Sequence, residues 1–492
     1  NGLLVHLEQQ GEANAGFLSS AVEGVADALA AARSDAPDVE AVARRCGLSV
    51  DDVAEFYRLF ARTERVVTLY SQGINQFSMG TDKVNSIINC HLYTGRIGRA
   101  GMGPFSMTGQ PNAMGGREVG GLANLLSGHR DLANPGHRAE VARLWGVASV
   151  PERPGKTAIE LFDALESGEI RAVWVAATNP AQSLPDQAKI RAALEKAECV
   201  VLQEAFADTE TCAYADVLLP ATSWGETDGT VTNSERRISR VRAAVPPPGE
   251  ARPDWRIVCE FARKLAPEAG ARLFPYADAE AIFNEHRETT RGRDLDITGL
   301  DYALLDRAPQ QWPLPAGANQ GRARLYADGV FPTASGRARF HSTPYKTVAE
   351  AINPRFPLRL NTGRLRDQWH SMSRTGRVAR LFAHADTPLL SMARRDLDLR
   401  RLKDGDLVRV KTRRGALVVA VEASESVRPG QCFLPMHWGG RFMGGLGVNA
   451  LTLPEFDPVS KQPELKHAAA QVEKAELPWK MAVLVVGDGS AL

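Results

Sequence analysis

Residues 172–203 have the sequence AVWVAATNPAQSLPDQAKIRAALEKAECVVLQ. Two short apolar runs, 172–177 and 199–203, are separated by a helical stretch from about 186 to 197, which predicts two parallel strands joined by a right-handed crossover helix. A third apolar run, 216–220, follows. The segment therefore predicts an α/β fold with a doubly wound parallel sheet, whose ligands are expected at the carboxyl ends of the strands.

The C-terminal part of the chain changes to short alternating strands. Apolar and polar residues alternate through 357–360, 406–412 and 416–421, with a turn at Arg414-Gly415 between the last two runs. This period of two predicts a β-rich C-terminal domain, which we interpret as a barrel.

The N-terminal part reads mainly as helices. Helices are predicted over 19–33 and 37–45, and a third is predicted to open at the capping sequence SVDD, 49–52. A buried strand at 65–70 and a helix from about 81 to 93 follow.

Residues 95–121 contain nine glycines in 27 positions, interleaved with prolines and polar residues. This composition predicts a long loop without regular secondary structure. Glycines let backbone N–H groups approach a ligand closely, so the loop is a candidate cradle for an anion or a cofactor, with a purely structural loop as the alternative.

The composition excludes several classes of protein. Lys and Arg number 59 against 58 Asp and Glu, so nucleic acid and membrane surfaces are not expected partners. The six cysteines include no Cys-x-x-Cys pair, and we expect reduced thiols and no metal-ligating residues in this chain. Metalloprotease, P-loop and Gly-x-Ser-x-Gly hydrolase motifs are absent from the sequence.

A set of motifs spread over nearly the whole chain resembles a known family. They are QGINQ (72–76), TGRIG (94–98), GPFSMTGQPNAMGGREVGG (103–121), TNPAQSLP (178–185), NSERR (233–237), NTGR (361–364) with WH (369–370), NALT (449–452), DP (457–458) and QP (462–463). Together they resemble the molybdopterin oxidoreductases of the dimethyl sulfoxide reductase family, and within it the branch of assimilatory nitrate reductase catalytic subunits.

The resemblance implies the family's multidomain architecture. We expect the C-terminal half of one α/β cofactor-binding domain at 1–105, a second at 106–255, a connecting and covering region at 256–350, and a β-barrel dinucleotide-binding domain at 351–492. It also implies molybdenum held by two molybdopterin guanine dinucleotides. The cofactor contacts carried over by motif are Gln72, Gln76, Asn179, Glu204, Asp254, Thr362, Gly363, Arg364, Trp369, His370, Asn449 and Lys466. Amides, carboxylates and guanidinium groups at loop ends suit pyrophosphate and guanine.

The chain also departs from the family pattern. The four-cysteine motif of a [4Fe-4S] cluster and the later cysteine that ligates molybdenum are not identifiable. We therefore expect the cluster only in an N-terminal region that this sequence lacks. Gln72 stands where periplasmic nitrate reductases usually have Met, which favours a cytoplasmic location.

The resemblance implies two-electron reduction of nitrate to nitrite, with electrons from a donor protein or reductase subunit. Arg117 occupies the family position of an arginine that faces the molybdenum site, and its forked guanidinium suits a small planar anion. The alternative for Arg117 is a surface ion pair with a nearby acid such as Glu118. The alternatives for the protein are a formate dehydrogenase-like molybdoenzyme and a non-catalytic scaffold of the same fold.

Overall fold

A computed structural model of the chain describes residues 1–477. The α-helices are α1 (Gly2–Gln9), α2 (Ala15–Ala21), α3 (Val25–Asp35), α4 (Val39–Cys46), α5 (Val50–Arg62), α6 (Gln72–Asn75), α7 (Gly80–Tyr93), α8 (Ala113–Glu118), α9 (Pro135–Trp145), α10 (Ala158–Ser167), α11 (Pro180–Ser183), α12 (Gln187–Lys196), α13 (Asp254–Leu265), α14 (Pro267–Leu273), α15 (Ala279–Thr289), α16 (Tyr302–Arg307), α17 (Ala379–Phe382) and α18 (Arg394–Leu399). Short 3₁₀ helices span Glu210–Tyr214, Trp224–Glu226, His370–Met372, Thr375–Arg377 and Val448–Leu451.

The strands are β1 (Val22–Glu23), β2 (Val67–Tyr70), β3 (Gly103–Ser106), β4 (Leu125–Leu126), β5 (Arg130–Asp131), β6 (Ala172–Ala176), β7 (Cys199–Glu204), β8 (Val217–Pro220), β9 (Gly229–Thr232), β10 (Arg237–Val241), β11 (Gln310–Gln311), β12 (Ala338–Arg339), β13 (Leu358–Gly363), β14 (Leu389–Met392), β15 (Leu407–Lys411), β16 (Ala416–Ala423), β17 (Gln431–Pro435) and β18 (Ala468–Lys474).

The chain divides into two compact units, each assembled from separate stretches of sequence. The first unit comprises 1–75, 80–156 and 222–346, and the second comprises 76–79, 157–221 and the chain from 347 onwards. The domain boundaries expected after 105, 255 and 350 stay predictions.

The parallel sheet predicted at 172–220 is confirmed in the second unit. Its strand order is β6-β7-β8, and both pairs are parallel, with Ala176 opposite Gln203. Crossover helix α12 buries Ile190 and Leu194, four positions apart, against Phe162 of α10 and Val200 of β7. This shared core holds the strands in register, so that β6 and β7 end side by side.

The predicted C-terminal barrel is also confirmed. Six strands close in the order β13-β17-β14-β16-β15-β18. Alternate residues point inward: Val408 and Val410 of β15, together with Leu417 and Val419 of β16, are at most 4% exposed. Closure pairs every strand on both sides and fixes the ends of β13 and β18 at one rim.

The first unit begins with the predicted helices, with one correction. Ser49 accepts a hydrogen bond from the Asp52 N–H (3.0 Å) and so caps α5, as expected. The single helix predicted over 19–33 is wrong, because β1 separates α2 from α3. Gly24 lies there at φ +82°, and a Cβ on it would be 2.9 Å from the Phe340 carbonyl oxygen, so a helix cannot continue through it.

Two further expectations for the first unit are wrong. The glycine-rich segment 95–121 is not free of regular structure, since it contains β3 and α8. Glycines in it allow close packing: a Cβ on Gly115 would be 2.1 Å from Asn112 Oδ1. The strand at 65–70 is not buried, because β2 pairs with β3 alone among the described residues, leaving Val67 and Leu69 46% and 60% exposed.

Within residues 1–477, no helix has the length and apolar character needed to cross a membrane.

Three histidines, two of them buried and His286 half-buried, should make folding stability depend on pH. Burial lowers the pKa of His91, His286 and His437 to about 4 from the ordinary 6.5, so between these values the unfolded chain binds more protons. This contribution is complete above pH 6.5 and is lost as pH falls towards 4. We expect the free energy of unfolding to drop by about 1–2 kcal/mol per histidine between pH 7 and 5.

Urea unfolding at pH 7, 6 and 5 measures this dependence. Burial raises the pKa of the Glu118 carboxyl, so this group makes the free energy of unfolding rise as pH falls, opposite to the histidines. Because it is one group and the histidines are three, we expect the histidines to determine the sign of the change. Equal stability at pH 7 and 5 would show that these imidazoles are protonated in the folded chain.

Candidate functional site

Two of the expected site residues lie at the carboxyl ends of neighbouring strands. Asn179 follows β6 and Glu204 ends β7, and the Ala177 N–H donates to the Gln203 carbonyl (2.9 Å) between them. The prediction that these strands are parallel neighbours ending side by side is confirmed. Glu204 Oε1 accepts from the N–H groups of Ala205 (2.8 Å) and Phe206 (3.3 Å), which shapes the loop after β7.

Both polar atoms of the Asn179 side chain form hydrogen bonds with other residues of the protein. Its Nδ2 donates to Glu210 Oε2 (2.7 Å), and its Oδ1 accepts from the Thr211 N–H (3.1 Å) and hydroxyl (2.7 Å). Asn179 therefore fixes the loop that carries residues 210–211 beside the strand ends. Its contact with a cofactor stays a prediction.

A buried amide, Gln182, connects these strand ends to the barrel. Gln182 is 3% exposed, and its Nε2 donates to the His437 carbonyl (2.7 Å). Asn449 Nδ2 donates to the carbonyls of Gln182 (3.1 Å) and Ser183 (2.8 Å). Asn179 Nδ2 lies 3.3 Å from Gln182 Oε1. We call Asn179, Gln182, Asn449 and the His437 carbonyl the amide network.

The amide network leaves no room for an extra side chain. A Cβ on Gly439 would be 2.3 Å from Glu210 Oε1 and 2.6 Å from Gln182 Cδ. Glycine is therefore required sterically at this position for the barrel loop to approach the sheet.

At the barrel rim the structure brings together expected residues from distant parts of the sequence. Thr362 Oγ1 donates to the Leu465 carbonyl (2.7 Å), and Lys466 Nζ donates to the Thr362 carbonyl (2.8 Å). The Leu465 N–H in turn donates to the Gln76 carbonyl (3.2 Å). Burial lowers the pKa of Lys466 to about 8. Gly363 packs against Phe433, whose Cε2 would be 2.8 Å from an added Cβ.

The segment that follows β13 at this rim carries aromatic and cationic side chains. The Arg364 guanidinium lies 4.2 Å from the centre of the Trp369 ring, and the His370 ring meets Trp369 edge-on at 4.3 Å. His370, Ser371 and Met372 are consecutively left-handed, at φ 37°, 55° and 56°. Non-glycine residues in this region are strained, so the surrounding structure holds this turn in place.

His437 belongs to the same cluster, and sequence reasoning missed it. It is 1% exposed, and its Nε2 accepts from the Leu365 N–H (2.9 Å). Burial is the main cause of its low pKa, and the positive charges of Arg364, His370 and Lys466 lower the pKa further. These cationic groups are therefore close enough to His437 to act on it electrostatically. An anion with a flat aromatic part fits such a combination of cations and an indole ring.

Three expected site residues belong to the first unit. Gln72 is the first residue of α6, and Asp254 is the exposed first residue of α13. Arg117 lies exposed on α8 and forms no ion pair within residues 1–477. The alternative of an ion pair with Glu118 is wrong: the Glu118 carboxylate is buried and accepts from Trp312 Nε1 (2.6 Å) and Thr232 Oγ1 (2.9 Å).

The Arg117 charge acts on aromatic hydroxyls instead. Burial raises the pKa of Tyr70 and Tyr326, and the nearby Arg117 guanidinium offsets part of that increase in both. An accessible guanidinium without a carboxylate partner is free to bind an incoming anion.

Comparison with known proteins gives two family matches. Residues 27–264 match the molybdopterin oxidoreductase model, and residues 358–469 match the molydopterin dinucleotide binding domain model. The second match includes β13, the rim residues and His437.

Several curated relatives are nitrate reductases, and one is the F420-dependent formate dehydrogenase subunit alpha of Methanocaldococcus jannaschii, 33% identical over 88% of this chain and 62% of that protein. A nitrate reductase from Klebsiella oxytoca is 42% identical over 90% of this chain and 51% of that protein. The assimilatory nitrate reductase catalytic subunit of Bacillus subtilis is 32% identical over 96% of this chain and 66% of that protein. The chain thus spans about half the length of the Klebsiella relative.

A solved structure supports the fold. Acetylene hydratase from Pelobacter acetylenicus superposes with a TM-score of 0.71 over 96% of this chain and 69% of that one, at 15% identity.

Removing one donor from the amide network should destabilise the second unit. In Asn449→Ala, the buried carbonyl of Gln182 and the part-buried carbonyl of Ser183 lose their shared donor. We expect the free energy of unfolding to fall by about 1–3 kcal/mol, measured by urea denaturation.

Asn361→Ala is the matched control. Asn361 is an exposed residue of β13 in the same unit, so its replacement should change the free energy of unfolding by less than about 0.5 kcal/mol. Equal effects of the two substitutions would remove the stabilising role assigned to Asn449.

Proposed function

The chain belongs to the molybdopterin oxidoreductases, and on that premise we propose that it is part of a molybdenum-dependent nitrate reductase that carries out the two-electron reduction of nitrate to nitrite. The observation that carries the proposal is the likeness to nitrate reductases, at 42% identity over 90% of the chain for the Klebsiella protein. The exposed, unpaired guanidinium of Arg117 supplies a group that suits the substrate.

The proposed cofactor is bis-molybdopterin guanine dinucleotide, and the second unit offers groups that fit its dinucleotide part. Lys466 is a half-buried cation, and Arg364 is an exposed guanidinium held over an indole ring. Partial removal of the Lys466 charge from water without a carboxylate partner is costly, and a pyrophosphate would offset that cost. These residues, with Thr362, Gly363, Trp369 and His370, would hold the dinucleotide.

When bound, this cofactor supplies a metal centre able to exchange two electrons and accept an oxygen atom. The chain's own residues bind and orient. Lys466 and Arg364 neutralise phosphate charge, and Trp369 offers a flat surface to an aromatic ring. Asn179, Gln182 and Asn449 hold the strand ends and the rim together.

In this proposal Arg117 guides nitrate. Its planar fork can donate to two nitrate oxygens at once. Next to Arg117 on α8, a Cβ on Gly116 would have no heavy atom within 4 Å, which leaves space for a small anion.

The electron donor and the location are also proposals. A donor protein or reductase subunit would deliver the two electrons. A cytoplasmic location is supported by Gln72 and by the likeness to the assimilatory enzyme of Bacillus subtilis. The [4Fe-4S] cluster stays a prediction.

Substitution of Arg117 tests the catalytic assignment in the complete enzyme. We expect Arg117→Ala to lower kcat/KM for nitrate at least tens-fold with unchanged molybdenum content, since a desolvated charge-assisted pair contributes about 2–5 kcal/mol. Arg117→Lys should recover only part of the activity, because an ammonium keeps the charge but lacks the fork.

Arg99→Ala, which removes another exposed arginine from the same glycine-rich segment, is the control and should retain normal kinetics. Near-normal kcat/KM in Arg117→Ala would contradict the assignment. Formate oxidation in place of nitrate reduction by the wild-type enzyme would favour the formate dehydrogenase alternative, and molybdenum-free protein without either activity would favour the scaffold.

A further inference from the structure

The backbone N–H of Leu365 determines which ring nitrogen of His437 carries the proton. Nε2 accepts from the Leu365 N–H (2.9 Å), so this nitrogen carries a lone pair. A neutral imidazole has one such nitrogen and one N–H, which places the proton on Nδ1. Nδ1 is buried and has no hydrogen-bond partner within residues 1–477. His437 therefore presents a buried donor that lacks an acceptor, which is costly in a folded protein.

The surroundings of His437 differ from those of His91, another buried histidine whose Nδ1 has no partner. The His91 ring packs edge-on against Phe60 at 5.4 Å, and its Nε2 lies 2.7 Å from a hydroxyl, Thr68 Oγ1, that can either donate or accept. The His91 tautomer is consequently not fixed. His437 instead lies close enough to Arg364, His370 and Lys466 for their charges to lower its pKa.

Lys466 and Arg364, the two basic side chains that act electrostatically on His437, also have donors to spare. Lys466 uses one of its three N–H donors, on the Thr362 carbonyl (2.8 Å), and Arg364 stacks on Trp369. Within residues 1–477 neither side chain forms an ion pair with a carboxylate. An oxygen-rich anion would therefore satisfy donors on all three side chains.

We propose that His437 is a further dinucleotide-binding residue, whose Nδ1–H donates to a phosphate oxygen of the ligand held by Arg364 and Lys466. The inference rests on the proposed function, since dinucleotide binding at this rim is part of it. The Leu365 N–H locks the ring so that His437 acts as a neutral donor and adds no further positive charge beside the two cations. The His437 N–H thus contributes a hydrogen bond of defined direction to the phosphate, whereas Arg364 and Lys466 contribute positive charge.

Two substitutions each keep the hydrogen-bonding group of only one ring nitrogen of His437. Comparing them separates an effect on ligand binding from an effect on folding. His437→Gln places an amide oxygen where Nε2 accepts from Leu365 and leaves no donor at the Nδ1 position. His437→Asn retains a donor near Nδ1 and loses the acceptor for Leu365. His91→Gln is the matched control, because it replaces a buried histidine of the first unit that also has an unpartnered Nδ1.

Isothermal titration of the full chain, purified without cofactor, with GDP, inorganic pyrophosphate and guanosine provides the readout. We expect His437→Gln to raise the Kd for GDP and pyrophosphate about tenfold, His437→Asn to stay within about threefold of wild type, and His91→Gln to stay within about twofold. Unchanged GDP and pyrophosphate binding by His437→Gln would overturn the inference and leave the proposed function standing. Loss of affinity confined to guanosine would overturn the phosphate assignment.

Nitrogen-15 NMR of the wild-type chain keeps the inference testable if His437→Gln does not fold. The expected spectrum shows the Nδ1-protonated tautomer of His437, with a shift of the Nδ1 resonance when pyrophosphate is added. An Nε2-protonated ring, or a resonance that pyrophosphate does not move, would overturn the inference. Wild-type chain that binds neither GDP nor pyrophosphate would overturn both the inference and the proposed dinucleotide site.

Discussion

The geometry of the second unit depends on one buried amide. Gln182 is almost fully removed from water, and burying an amide without partners costs a few kcal/mol, so its hydrogen bonds must all be made within the protein. Its donor reaches the barrel at the His437 carbonyl, its acceptor lies beside Asn179, and its carbonyl is held by Asn449. Because these partners come from both the sheet and the barrel, satisfying Gln182 fixes the strand ends against the rim.

The elements of the fold that sequence alone predicted are those with strong periodicity. The run β6-α12-β7 alternates apolar strands with a helix whose core positions are four apart, and the barrel strands alternate with a period of two. Where packing overrides local composition the predictions were wrong. The high glycine content hid α8, and Gly24, which separates α2 from α3, packs closely against the Phe340 carbonyl, more than 300 residues away in sequence.

The candidate site likewise divides into residues that sequence patterns identify and residues whose roles depend on tertiary packing. The resemblance to a family identified residues such as Thr362, Arg364 and Lys466, and the structure brings them together at one rim. Sequence reasoning missed Gln182 and His437, because their roles arise from a hydrogen bond that spans 255 positions. For His437 the available signal was its polar ring in the otherwise apolar segment 432–438, directly before the fully buried Trp438. Gln182 gave no such signal, because its segment 178–185 contains other polar residues.

The central claim is that the ends of β6 and β7 and the rim of the barrel form one dinucleotide-binding region held by the amide network. Amide hydrogen exchange of the cofactor-free chain, followed by mass spectrometry with and without GDP, measures it directly. The account predicts slower exchange on GDP addition in peptides covering 362–370 and 464–467, accompanied by slower exchange in 177–184, which contacts the rim through Gln182. Protection confined to the first unit, or no protection in either set of second-unit peptides, would contradict it.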